Sequence, residues 1–400
     1  MIALTGGDLV LPDRMLTEGT LLLDRGRIEA VEAGRVDPAG ARIIDVTGCY
    51  VVPGFIDVHV HGVDGYDTLD GGDSVGHIAA ALVRYGVTAF CPTSVACGPD
   101  DLGTFLGQVR QARVEPDARA ARVLPAHLES NFISPDYRGA QPASCLRTAA
   151  TGTSDSGAYS GRDVLEAIER ARPDVGIVTL APELPGGIDL VRALVSAGHR
   201  VSLGHSGADF ETAVAAIEAG ARHATHLFNR MTPITHRAPG LAGAVLARED
   251  VAAELICDGF HVHPAISQMA IAAKGPSRMM AITDATAGAG LPVGSSARLG
   301  GRPIRVRHEA AFLDDGTLAG STLTMNRAFG SIVSRFGGSP VDAAVMCSTT
   351  PAREMGLAGF GVLVEGATAD VAVLDRGFEV IRTFIAGQEV WVNSGARADV

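Results

Sequence analysis

Seven residues of this chain have the side-chain chemistry to hold a divalent cation and to move a proton beside it: His59, His61, His127, Glu129, His205, His226 and Asp284. Each sits at or near the end of a short apolar run. His59 and His61 fall in "FIDVHVHG", His127 and Glu129 in "RVLPAHLES", His205 in "RVSLGHS", His226 in "HATHLFN" and Asp284 in "MMAITDA". Imidazole and carboxylate together suit a borderline ion such as Zn²⁺ or Fe²⁺. Such an ion lowers the pKa of a water from about 16 to about 7. A carboxylate beside that water can take its proton and return it to a leaving group, which is the role Asp284 would fill in "AITDATAG". Taken singly, each residue also has a plain structural reading. A lone His at a strand end is commonly just a hydrogen-bonded residue, and His-x-His says only that alternate strand residues share a face. His127 could support Glu129 rather than bind anything, and His199, His223 and His263 read as structural or surface residues. The coincidence carries the argument, because five of eight apolar runs end in a ligand-type residue.

These residues can act together only if the fold brings the run ends to one face. The eight runs are "FIDVHVHG", "GVTAFCPTS", "RVLPAHLES", "GIVTLAPE", "RVSLGHS", "HATHLFN", "AELICDG" and "MMAITDA". Amphipathic stretches such as "SVGHIAAALVRYG", "GRDVLEAIERARP", "GIDLVRALVSAG" and "DFETAVAAIEAG" separate them. Eight buried strands alternating with helices predict an α/β fold, a (β/α)8 TIM-like barrel over residues 54–359, whose C-terminal strand ends share one face. An open doubly wound sheet is the alternative, but no Gly-x-Gly-x-x-Gly follows the first run. Residues 1–53 and 360–400 have shorter runs and Gly-containing turns, and predict one small β-sandwich domain built from both termini.

Composition narrows the partners. The chain has 400 residues, 46% hydrophobic, and a net charge of −12. An acidic chain without Lys or Arg clusters is a poor partner for nucleic acid or an anionic membrane. The six cysteines form no Cys-x-x-Cys pair, and the N-terminus has no basic segment leading an apolar core, so a cytoplasmic protein is expected. There is no Gly-x-Ser-x-Gly elbow and no Walker A loop. The single lysine, Lys274, lies after the seventh run, so the fourth offers no lysine to bridge two metals and Glu129 becomes the candidate anionic ligand.

In order along nearly the whole chain, "PGFIDVHVHG", "HLE" at 127–129, "GHSGA", "THLFN", "RAPGLAG", "DGFHVHP", "ITDA", "LAGSTLTM", "TPAREMGL" and "GATADVAVLD" resemble the N-acetylglucosamine-6-phosphate deacetylases of the amidohydrolase superfamily. The resemblance implies a metal-dependent barrel, a small β domain from both termini, and a homodimer. It implies that Glu129, His205 and His226 are the principal metal ligands, that His59 and His61 complete a second position, and that one or two divalent ions are bound. It implies that Asp284 is the general base and acid, that Asn229 and His261 contact the sugar or its phosphate, and that Arg237 reaches the neighbouring subunit's active site. The chain departs from the family near the substrate: Ser130 and Asn131 replace Gly-Pro, Gln141 replaces a His, Arg230 replaces an Ala, and His236 precedes Arg237. Gln141 can still donate to a developing oxyanion, and Arg230 would favour an anionic group. Two readings of the activity follow: deacetylation of N-acetylglucosamine 6-phosphate, or the same chemistry on another N-acetyl amino sugar or related N-acyl substrate. A deaminase or cyclic-amide hydrolase on the same metal site, or a catalytically silent binding protein, are the remaining alternatives.

Overall fold

The computed structural model describes residues 1–149 and 158–393. Eight parallel strands form the expected barrel: Phe55–Val60, Val87–Ser94, Ala126–Glu129, Val175–Leu180, Arg200–Leu203, His223–Ala224, Ala252–Ile256 and Met279–Ile282. They pair in chain order. Between the last strand and the first, the Asp284 N–H donates to the His59 carbonyl (3.0 Å) and the His61 N–H to the Ala285 carbonyl (2.8 Å). The first, second, fourth, seventh and eighth strands are buried along their whole length. A strand covered by side chains within and helices without has no solvent face, which is why these runs are mostly apolar, with Asp57, His59 and Glu254 as buried exceptions.

Two of the runs are shorter as strands than as apolar sequence. In the third, Arg122–Val123 pairs with Ala89–Phe90 and pairing resumes at Ala126–Glu129, with Pro125 between. A proline has no N–H for the ladder, so the strand breaks there. In the sixth, only His223–Ala224 is strand, and the chain then turns through left-handed residues at His226 (φ 30°), Phe228 (75°) and Arg230 (50°).

Helices Ser74–Leu82, Gly161–Arg170, Gly187–Ser196 and Phe210–Glu218 occupy the four amphipathic stretches. Each buries one stripe and exposes the other. Ser160 and Asp163 form a capping box at the second of these, satisfying two N-terminal amides. Further helices lie at Pro99–Val114, Gly240–Ala247 and Pro264–Lys274. The segment "GLAGAVLA" has no polar stripe because it is mostly buried.

One element was not foreseen. After the eighth strand, Ser296–Leu299, Arg302–Arg307, Ala310–Leu313 and Leu318–Ser321 make a four-stranded antiparallel sheet. It encloses its own small apolar cluster with Val95, and it stands at the mouth of the barrel.

Strands from both termini share one mixed eight-stranded sheet. Val371–Leu374 from the tail pairs antiparallel with Tyr50–Pro53 from the head. Leu4, Leu21, Val51, Val371 and Phe384 form a core separate from the barrel's. Residues 394–400, included in the expected small domain, lie outside the described residues. Arg122, paired with Asp370, ties this sheet to the barrel wall.

Candidate metal centre and active site

The strand ends aim their side chains at one point. Glu129 ends the third strand; its Oε1 lies 2.8 Å from His205 Nε2 and 2.8 Å from His226 Nε2. His61 Nε2 lies 3.5 Å from Glu129 Oε2 and 3.2 Å from His59 Nε2. Asp284 Oδ1 is 3.4 Å from His59 Nε2 and 3.3 Å from His61 Nε2. His205, His226 and Asp284 take φ values of 48°, 30° and 49°, a left-handed turn that aims each side chain across the mouth. Non-glycine residues in that region store of order 1–3 kcal/mol each, a cost concentrated at functional sites. Gly320 backs Asp284: a Cβ there would fall 2.9 Å from the Asp284 carbonyl oxygen, so only glycine lets "LAGST" approach so closely.

Two interlocking donor sets result, His59–His61–Glu129 and Glu129–His205–His226, all buried and sharing Glu129. The fit to a divalent ion is tested by the nitrogens. His205 Nε2 and His226 Nε2 are 3.1 Å apart. Two donors on one tetrahedral ion, each about 2.0–2.1 Å from it, stand about 3.4 Å apart. The His205 Nδ1–H donates to the Tyr137 carbonyl (2.8 Å), and the His59 Nδ1–H to Glu254 Oε2 (3.0 Å). Each ring therefore keeps the Nε2 lone pair for a ligand. Burial opposes charging His61 and His226, but Glu129 and Asp284 outweigh it and raise the two rings to about 10 and about 9. A field that favours a proton on these rings also favours a divalent cation among them. Burial likewise raises Glu129 and Asp284, yet the facing histidines hold both carboxyls below their ordinary range.

Several supporting residues were missed in the sequence. Glu254, fully buried on the seventh strand, accepts from His59 and from the His226 backbone N–H. Asp57, two residues before His59, accepts from the Thr283 hydroxyl (2.6 Å), tying the first strand to the eighth. Asp258 accepts the His261 Nδ1–H (2.6 Å). A carboxylate inside an apolar run, as in "AELICDG" and "FIDVHVHG", was the available signal. His127 lies behind His59, with its Nδ1–H donating to the Val58 carbonyl and Nε2 beside the Thr179 hydroxyl.

A cavity opens at this centre, lined by His61, Glu129, His205, His226 and Asp284 together with Gln141, Asn229, Arg230 and His261. The departures from the family pattern separate here. Ser130 and Asn131 do not line the cavity. The Ser130 hydroxyl donates to the Thr179 carbonyl (2.5 Å), and the Asn131 amide donates to the Cys97 and Cys145 carbonyls (2.7 Å each). Both are buried structural residues, which corrects their grouping with the substrate pocket. Gln141 is at the cavity wall. Its Oε1 accepts the Ala96 N–H (2.7 Å), which turns its NH₂ onto Glu129 Oε2. Asn229 donates to the His226 carbonyl (3.2 Å). Arg237 and its neighbour His236 lie on an exposed loop and do not line the cavity of their own chain.

A parallel barrel with a histidine–carboxylate donor cluster and a proton acceptor at its C-terminal mouth is the architecture of metal-assisted hydrolysis. Residues 50–390 match the Amidohydrolase family, and the chain belongs to it. The chain is 33% identical to the N-acetylglucosamine-6-phosphate deacetylase of Bacillus subtilis (strain 168), covering 97% of this chain and 96% of that one. It is 36% identical to the Rattus norvegicus protein of the same name, covering 97% and 93%. It is also 33% identical to the N-acetylgalactosamine-6-phosphate deacetylase of Escherichia coli O157:H7, covering 94% and 97%. Among solved structures, it is similar to a mutant N-acetyl-D-glucosamine-6-phosphate deacetylase from Mycobacterium smegmatis in complex with N-acetyl-D-glucosamine-6-phosphate. The TM-score is 0.88 at 32% identity, covering 97% of this chain and 99% of that one.

Proposed function

We propose that this protein is a metal-dependent deacetylase that hydrolyses N-acetylglucosamine 6-phosphate to glucosamine 6-phosphate and acetate. The convergence of Asp284 with the Glu129–His205–His226 donor set at the floor of one cavity carries this reading. Glu129, His205 and His226 would hold one divalent ion, and His59 and His61 with Glu129 a second. An ion there supplies Lewis-acid polarisation of the acetyl carbonyl and a water acidic enough to be deprotonated near neutral pH.

The remaining work falls to the chain's own residues. Asp284 is kept ionised by His59 and His61, so Oδ1 can accept a proton from the attacking water. As the water oxygen bonds to the acetyl carbon and the C–N bond breaks, Asp284 returns that proton to the amine nitrogen. Gln141 holds the second oxygen of Glu129, leaving Oε1 toward His205 and His226. Asn229 and His261, which line the same cavity, would contact the sugar and its phosphate. Arg237 is exposed and could serve only a neighbouring copy's cavity, so a homodimer is part of the proposal. So is cytoplasmic residence, with which six free cysteines agree.

A second reading keeps the chemistry and changes the sugar, favoured by the 33% identity to a galactosamine-series deacetylase, the same as to the Bacillus subtilis protein. Acetate release from the two N-acetylhexosamine 6-phosphates, measured on protein loaded in turn with Zn²⁺, Fe²⁺, Mn²⁺ and Co²⁺, tests both. The higher kcat/KM names the sugar; ammonia as product, or no acetate from either, refutes the proposal.

A further inference from the structure

Arg230 is the one arginine or lysine among the residues lining the cavity. Its backbone is held on both sides. The carbonyl accepts the Ser206 N–H (3.0 Å), and Ser206 bridges to Met231 in the next position. The side chain lies across Gly139: a Cβ at 139 would fall 2.8 Å from Arg230 Nε and 3.2 Å from its Cγ. The glycine thus makes the groove in which the arginine stem runs. The guanidinium itself has no hydrogen bond and no ion pair with any described residue. The cavity therefore has carboxylates and imidazoles in its lining, and beside them one exposed arginine whose stem is seated against Gly139 and whose donors are unused. A guanidinium in that state matches an anion with several acceptor oxygens, and it binds phosphate in a fork geometry.

Resting on the deacetylase reading above, we propose that Arg230 is the principal phosphate-recognising residue of this cavity. It grips the anionic end of a sugar 6-phosphate from within the same chain, so that recognition does not depend mainly on Arg237 from a second copy. The acetamide end is thereby held toward Glu129 and Asp284, which line the same cavity.

The test compares Arg230→Ala, Arg230→Lys and Arg237→Ala in the metal-loaded, full-length protein, with N-acetylglucosamine 6-phosphate and N-acetylglucosamine as paired substrates. Losing a charged hydrogen-bonding partner of this kind corresponds to about 10–100-fold in binding. The expected result is that Arg230→Ala raises KM for the phosphorylated sugar by about that factor, with a much smaller change in kcat. The ratio of kcat/KM between the phosphorylated and unphosphorylated sugars should fall by a similar factor. Arg230→Lys, which keeps charge but not the fork, should fall between, and Arg230→Ala should cost more than Arg237→Ala. The proposal is overturned if Arg230→Ala lowers both substrates equally, if KM for the phosphorylated sugar is unmoved, or if Arg237→Ala causes the larger loss. If the unaltered protein releases acetate from neither sugar, the deacetylase reading fails by itself. Calorimetric titration with glucose 6-phosphate against glucose then decides the role of Arg230. Phosphate-dependent binding lost in Arg230→Ala sustains it, and binding that is absent or unchanged ends it.

Discussion

Asp284→Asn removes one proton acceptor and its negative charge while leaving the backbone and the Glu129–His205–His226 donor set in place. The Asp284 N–H donates to the His59 carbonyl (3.0 Å) and its carbonyl accepts the Ser321 N–H (2.8 Å), and neither bond involves the side chain. The residue sits at φ 49°, where asparagine is as acceptable as aspartate. The Glu129–His205–His226 set does not include it. On the proposed mechanism, what is lost is the ability to take a proton from water and pass it to the amine. General acid–base catalysis contributes about 10²–10⁴-fold, or about 3–5 kcal/mol of barrier. The variant should therefore show kcat lowered by two to four orders of magnitude with metal content equal to that of the unaltered protein. The assay is acetate release alongside metal quantification on the same sample. Turnover within about tenfold of the unaltered enzyme would refute the proton-carrier role. So would a loss of metal in step with the loss of rate, which would make Asp284 a ligand instead.

Glu254→Gln removes the anionic acceptor of the His59 Nδ1–H, and metal affinity should drop about 10–100-fold in a chelator competition; an unchanged affinity would end the idea that Glu254 orients His59. Asn131→Ala leaves the Cys145 carbonyl without its side-chain donor and the Cys97 carbonyl with only the Tyr159 hydroxyl (3.2 Å). It should cost about 1–3 kcal/mol in denaturant unfolding while substrate KM stays put, whereas a KM change without destabilisation would return Asn131 to the substrate site. Burial would raise Glu354, but its hydrogen bond with His223 prevails and sets its carboxyl at about 2 against an ordinary 4.5. A depressed carboxylate stabilises the fold fully above pH 4.5 and progressively less as pH falls toward about 2. The stability difference between the unaltered protein and Glu354→Gln should shrink over that interval in unfolding curves, and a constant difference would contradict the assignment.

Much of the site was legible because a buried parallel barrel writes itself plainly. Strands covered on both faces are mostly apolar, so His59, Glu129, His205 and Asp284 stood out as polar residues at or near the ends of apolar runs. The helix at Gly161–Arg170 was equally visible, since one of its faces meets water. The helix at Gly240–Ala247 and the sheet at Ser296–Ser321 were not. The first is mostly buried and has no polar stripe, and the second consists of short strands whose partners lie nearby but whose place at the barrel mouth no local pattern encodes.

The sequence by itself determined the donor types, their order and their likeness to a family, because ligand chemistry and strand burial are local properties. Only the tertiary structure decided which residues meet. It turned Asn131 away from the substrate and onto two backbone carbonyls. It joined Gln141 to Glu129 across twelve residues of chain, and Glu254 to His59 across 195. It set Arg230 in the cavity wall and left Arg237 outside it. Those outcomes depend on barrel closure and on left-handed turns at the strand ends, which fix direction in space rather than residue type.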